Sequence, residues 1–167
     1  MIGPRSQARR YAALALYQWQ LTGQDPQEIV RHFCDDPAWA AELSASFAEN
    51  GEESVAGVPP TAGFDRALFR RLVEGIPAQL ADLDARLRPL LDRAIEQVDP
   101  VERAILRLGT YELMYSPSVP YRVAINEAVE LAKLFGAEQG HRYVNGVLDR
   151  IARTVRQAEA GAAPSGA

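Results

Sequence analysis

The stretch VPYRVAINEAVELAKLFGAEQGHRYVNGVLDRI, residues 119–151, constrains the fold more than any other part of the chain. Ala124, Ala128, Leu131, Ala132 and Phe135 recur every three or four positions, the period that places side chains on one face of an α-helix. Asn126, Glu127, Glu130 and Lys133 fill the polar side. After Gly136 the pattern restarts, with Val144, Val147, Leu148, Ile151 and Val155 in one stripe and Asn145, Asp149, Arg150 and Arg153 away from it. Two consecutive helices are therefore predicted. Gly136 is expected to cap the first in the left-handed conformation, with Lys133 suited to the negative end of the dipole. Gly146, inside the second helix, should weaken it by about 1 kcal/mol relative to alanine. It is therefore expected to mark a point where another backbone crosses closely.

Proline and aspartate punctuate the rest of the chain. Asp25-Pro26 with Glu28, and Asp99-Pro100 with Glu102, each supply an N-cap acid, a proline at the first helical position and an acid at the third. Asp36-Pro37 is a weaker third start, opening a helix through Trp39, Ala40, Leu43 and Phe47. A first helix over about 6–21 turns Ala8, Ala12, Ala15, Leu16 and Trp19 inward. Leu68, Phe69, Leu72, Val73 and Ile76 form another. Pro77 is expected to open the next, with Leu80, Leu83, Asp84 and Leu87, before Pro89 interrupts ahead of a short segment through Leu90, Leu91 and Ile95. The helix over 100–115 buries Val101, Ala104, Ile105, Leu108 and Tyr111, and Pro117 and Pro120 keep it from fusing with its successor. Sustained alternation of β-branched and polar residues is missing, so the fold class is all-α. The string ENGEESVAGVPPTAG, residues 49–63, lacks periodicity and is expected to be a flexible surface loop.

A single cysteine, Cys34, excludes an internal disulfide, and His32 and His141 are too far apart for a metal-ligand cluster. No uncharged apolar run reaches the length of a membrane span, and MIGPRSQARR lacks an apolar signal core, so a soluble cytoplasmic protein is expected with no membrane partner. Phosphate-loop, G-x-S-x-G and metal motifs are missing too, so the reading is of a non-enzyme without cofactor or metal. The net charge of −4 is unevenly placed. Residues 1–24 carry Arg5, Arg9 and Arg10 and no acid, whereas nine acids face only Arg31 over residues 25–65. A basic head on an acidic body can bind a polyanion locally.

Arg5 and Arg9 lie one turn apart, and Arg10 and Tyr17 are nearly above one another, so three guanidinium groups and a phenol are expected on one exposed side of the first helix. Arginine's planar fork suits phosphate, and it also stacks on unpaired bases. On the residues alone, a solvated first turn with a basic tail accounts for the same pattern.

VPYRVAINEAVELAKLFG and HRYVNGVLD resemble the C-terminal signature of the NusB family of transcription antitermination factors, and VERAILRLGTYELMY and ALYQWQL resemble the same family. The resemblance spans most of the chain, leaving out only about 36–63. It implies an all-α fold of two packed helical subdomains with about seven helices, in a single domain over 1–167. The break near Pro89 would divide an N-terminal subdomain, about 1–95, from a C-terminal one, about 96–157, ahead of a disordered tail over 158–167. The resemblance also implies an RNA-binding factor that acts with NusE, a small-subunit ribosomal protein, on the boxA element of nascent RNA, notably ribosomal RNA transcripts. It would work within an elongation complex containing other Nus factors. Members of the family differ in oligomeric state, so a homodimer stays open.

By the same resemblance Arg5 and Arg9 fall on RNA-contacting positions, with Arg10 beside them. Ser6 and Gln7 stand where the family often has more arginine, and Arg10 where an acid is common. Tyr17 and Tyr143 match aromatic positions associated with RNA, where a ring would stack on a base; packing between helices is the other role open to each. Glu102 maps to the same surface, where a carboxylate can accept from a base amino group, although a place in the capped first turn explains it too. Gln139, in the turn between the last two helices, aligns with a frequent acid. NusE is expected on the C-terminal half near Tyr115, Val119 and Tyr121. The alternative is the N-terminal RNA-binding module of a ribosomal RNA cytosine-5 methyltransferase, which would require a further methyl-donor domain.

Overall fold

The computed structural model describes residues 2–47, 63–136 and 139–157, and among them it contains helices and no strand. Eight α-helices follow one another among the described residues: α1 Pro4–Thr22, α2 Pro26–Asp35, α3 Pro37–Phe47, α4 Arg66–Ala78, α5 Leu80–Leu87, α6 Pro100–Tyr115, α7 Tyr121–Phe135 and α8 Gly140–Val155. Two 3₁₀ turns, Arg88–Leu90 and Ile95–Gln97, lie between α5 and α6. The expected loop at 49–63 lies outside the described residues except for Gly63, and so does the expected tail at 158–167.

All three aspartate-proline starts cap as their chemistry requires. Asp25 accepts from the Gln27 amide at 2.9 Å and Asp36 from Trp39 at 3.0 Å. Asp99 accepts from both Val101 and Glu102 at 3.1 Å. Asp65, without a following proline to signal it, caps α4 through the Leu68 amide. Pro77 does not open a helix. It sits in the last turn of α4, and the break falls at Gln79, whose amide bonds back to α4 carbonyls.

Helix α6 is the hub, packed against α1, α4, α5, α7 and α8. Every residue from Ala104 to Leu113 is buried, so this helix has no solvated side along most of its length. The stripe expected from periodicity was therefore too narrow, and Val101, assigned to it, is only half-buried. Helix α1 lies against α2, α3, α4, α6 and α7, and its Ala8, Ala12 and Ala15 are fully buried. The buried apolar residues of all eight helices join one continuous cluster.

Two glycines behave otherwise than expected. Gly136 is extended, with φ −98° and ψ 177°, and ends α7 by donating to the Ala132 carbonyl. A Cβ there would lie 2.7 Å from that oxygen, so space and not handedness favours glycine. The left-handed cap belongs instead to Gly23, φ 69°, after α1. Gly146 is exposed and a Cβ there would meet nothing within 4 Å, so no helix crosses at it. The close approaches are at Gly75, which lies under the Tyr111 ring, and at Gly109, which faces Leu148 and Ala128.

Candidate nucleic-acid interface

The first-helix arginines separate by burial. Arg5 is exposed. Arg9 is not on the exposed side. It is 2 % exposed, and its Nε and Nη2 donate to the two carboxylate oxygens of Glu112 at 2.7 and 3.0 Å. Its Nη1 lies 3.6 Å from Glu127, whose Oε1 also accepts from the Ser6 hydroxyl at 2.8 Å. Burial works against the Arg9 charge, but the hydrogen bond and charge of Glu112 outweigh it and its pKa is raised. The sequence periodicity misplaced this residue because α1 is covered by both α6 and α7. Arg10 is half-buried in a cleft of about 300 Å³ between α1 and α7, shared with Asn126, Glu127, Glu130 and Lys133. Burial lowers its pKa, with Glu127 and Glu130 opposing.

A second group of sequence-predicted residues converges at the N-terminal end of α6. Glu102 stands in its first turn, half-buried, with its carboxylate packed against Gly140 at the start of α8, where a Cβ would displace it. Gln139 is exposed at the N-cap of α8, adjoining Gly140. One turn into α8, the half-buried Tyr143 donates its hydroxyl to Asp92 Oδ1 at 3.1 Å and accepts from the Asp92 amide at 3.3 Å. Arg93 pairs with the Asp92 carboxylate at 2.9 and 3.1 Å, and its guanidinium stands 5.8 Å from the centre of the Tyr143 ring. Arg103 holds this segment onto α6 by donating to the carbonyls of Ile95 and Glu96.

The charges here are tuned by burial and contact. Burial first, and Asp99 next, raise the Glu102 carboxyl above its usual range. Hydrogen bonding from Arg93 lowers the Asp92 carboxyl, and burial raises the Tyr143 phenol. Asp92 and Arg93 are functional candidates that the sequence did not reveal. They lie in an aperiodic break between two 3₁₀ turns, and nothing in their spacing ties them to a tyrosine 51 residues later.

Tyr17 belongs to the same end of the molecule. Gln20, one turn later on α1, donates to the Pro100 carbonyl at the start of α6. The Tyr17 ring packs edge-on against Phe47 at 5.3 Å, half-buried, so it both packs and keeps an accessible part.

The expected partner residues lie toward the other end of α6. Tyr115 is exposed, its hydroxyl 3.2 Å from Asp82 and 3.3 Å from Gln79. Val119 is buried at 4 % exposure and offers no side chain to a partner. Its amide bonds to Ser116 in a tight turn, which turns the side chain inward. Tyr121 is half-buried, with the Arg122 guanidinium 5.6 Å from its ring, and borders a hollow with Ile125, Val129 and Asn145. Among the described residues no group of histidine, cysteine and carboxylate side chains is placed to hold a metal, and no helix is long and apolar enough to cross a membrane.

A family profile for NusB matches residues 6–153. The chain belongs to the NusB family. It is 51 % identical over 150 residues to the transcription antitermination protein NusB of Alkalilimnicola ehrlichii, a match covering 89 % of this chain and 81 % of that one. It is 46 % identical over 159 residues to that of Nitrosococcus oceani, covering 95 % and 92 %. The solved structure of T. maritima NusB superposes with a TM-score of 0.64 at 28 % identity, covering 92 % of this chain and 94 % of that one. The NusB relatives are named for regulation of transcription and not for a catalysed reaction.

Proposed function

We propose that the chain is a cytoplasmic antitermination factor that binds boxA in nascent RNA, notably ribosomal RNA transcripts, together with NusE and within an elongation complex containing other Nus factors. The observation that carries this reading is the convergence of Glu102, Gln139 and Tyr143 at one end of α6 and α8, with Tyr17 close by. These residues come from three separate segments, and beside their packing contacts they leave an exposed amide, a half-buried carboxylate and two half-buried rings open to solvent. The chemistry suits single-stranded RNA. Rings accept stacked bases, a carboxylate or amide reads base edges, and an arginine such as Arg93 exchanges a carboxylate partner for phosphate.

In this reading Arg5 supplies a phosphate contact and Arg10 borders the RNA path, while Arg9 acts through the fold by tying α1 to α6. NusE would dock on the C-terminal half near Tyr115 and Tyr121, with the buried Val119 holding the turn between them. The test is a titration of labelled boxA RNA with and without NusE, set against a scrambled RNA of equal length. Preferential binding to boxA, strengthened by NusE, is expected. Equal affinity for the two RNAs in both conditions would defeat the proposal.

A further inference from the structure

We infer that the groove between α2 and α4 is a second RNA surface, which takes the phosphate backbone of single-stranded RNA flanking the element held at the other end of the molecule. Arg31 of α2 and Arg66, Arg70 and Arg71 of α4 rim a groove of about 560 Å³, against two carboxylates, Asp35 and Glu74. All four arginines are exposed. This local excess of positive charge sits on a chain whose net charge is −4, and Arg31 is the sole base of an otherwise acidic segment.

The arginines are held but not consumed. Arg66 lies 5.7 Å from the centre of the Phe64 ring, and Arg71 donates to the Ser116 hydroxyl at 3.2 Å. Arg70 pairs with Glu74 at 3.5 Å through largely exposed side chains, a contact that water and salt weaken and that a phosphate can replace. Arg31 and Arg66 have no ion-pair partner among the described residues. Arg66 and Arg70 stand one turn apart on α4, about 6 Å, facing Arg31 across the groove. The floor contains Val30, Ala67 and the half-buried Cys34, whose thiol pKa burial pushes up. Guanidinium forks around a small apolar floor fit phosphates at the rim with a sugar or base beneath.

Helix α6 gives the separation. Arg71 reaches Ser116 just beyond its C-terminal end, whereas Glu102 is in its first turn, about 20 Å away at 1.5 Å per residue. An RNA that meets both ends must therefore be longer than the element filling the Glu102 and Tyr143 end. This inference rests on the RNA-binding reading above.

The test compares boxA alone with boxA extended on both sides by uridine tracts, each titrated against the full chain over a series of salt concentrations. The extended RNA is expected to bind more tightly and with a steeper salt dependence. The Arg31→Gln, Arg66→Gln, Arg70→Gln triple variant should lose that excess, by about 0.7 in log-log slope per arginine, while binding boxA alone unchanged. Glu74→Gln, which frees Arg70, should move affinity for the extended RNA in the opposite direction. Wild-type slope and affinity for the extended RNA in the folded triple variant would overturn the inference. So would capture by these arginines of a glutamate-rich peptide but not of the uridine tracts. If the wild-type chain ignores boxA itself, the functional reading fails and this one with it. If it binds boxA and the tracts add nothing, only the groove assignment fails.

Discussion

Helix α6 carries two sets of charged residues that differ in what surrounds them. Toward its middle and C-terminal end, Glu112 meets Arg9, and Arg107 meets Asp84 through two hydrogen bonds of 3.0 and 2.9 Å, all four side chains buried. At its N-terminal end, Glu102 is half-buried against Gly140, one turn before Tyr143 on α8, and Asp92 and Arg93 are exposed. The first set joins α6 to α1 and α5 where water is excluded, so each partner is needed to offset the desolvation of the other. The second set keeps its polar atoms within reach of a ligand. Residue type alone does not separate a buried, structural arginine from an exposed one; the number of helices covering it does.

The largest expected effect that tests this contrast comes from the interior. Glu112→Ala leaves the Arg9 guanidinium buried without its main partner and should cost about 3–5 kcal/mol of stability in urea denaturation. A loss no larger than that of an exposed surface substitution would show that Arg9 is not anchored as described. At the open end, Tyr143→Ala should cost about 1–3 kcal/mol of RNA affinity with little loss of stability, and Tyr143→Phe should keep most of the affinity because stacking needs only the ring. If phenylalanine is as damaging as alanine, the hydroxyl bonded to Asp92 is the binding feature. Gly146→Ala fills open space in α8 and should raise stability by about 1 kcal/mol in thermal melts, leaving RNA affinity alone. Destabilisation would reinstate a close crossing there.

Smaller effects follow for single charges. Arg5→Ala should reduce the salt slope of RNA binding by about 0.7. For Glu102 the folded carboxyl lies above its ordinary range, chiefly through burial. Folding therefore favours the protonated form, and the associated stability is present at low pH and lost as pH rises through the raised folded value. Glu102→Gln should flatten the stability profile over that window and be the more stable protein above it. A wild type that gains stability relative to the variant across the window would reverse the assigned sign.

Helix positions were legible because they depend on local chemistry. The starts at Pro26, Pro37 and Pro100 follow from aspartate caps and proline at the first turn, and the end of α6 at Tyr115 follows from the prolines beyond it. Tertiary cover was not legible. Periodicity assigns one inward face to α6, whereas five helices surround it, and it placed Arg9 on the solvent side of α1. Of the candidate site, Glu102, Gln139 and Tyr143 come from resemblance to the family, and the fold gathers them around Gly140. Asp92 and Arg93 join them only through folding, because the segment that carries them has neither period nor motif.

Backbone amide chemical shifts during titration with boxA RNA, with and without NusE, test the division between interior and interface most directly. RNA-dependent shifts are expected at residues 92–93, 99–102 and 139–143, with a smaller set near Arg5, Arg10 and Tyr17. The amides around Arg107 and Glu112 should stay unmoved. Shifts concentrated in the middle of α6, or confined to the first helix with the 92–93 and 139–143 segments silent, would contradict it.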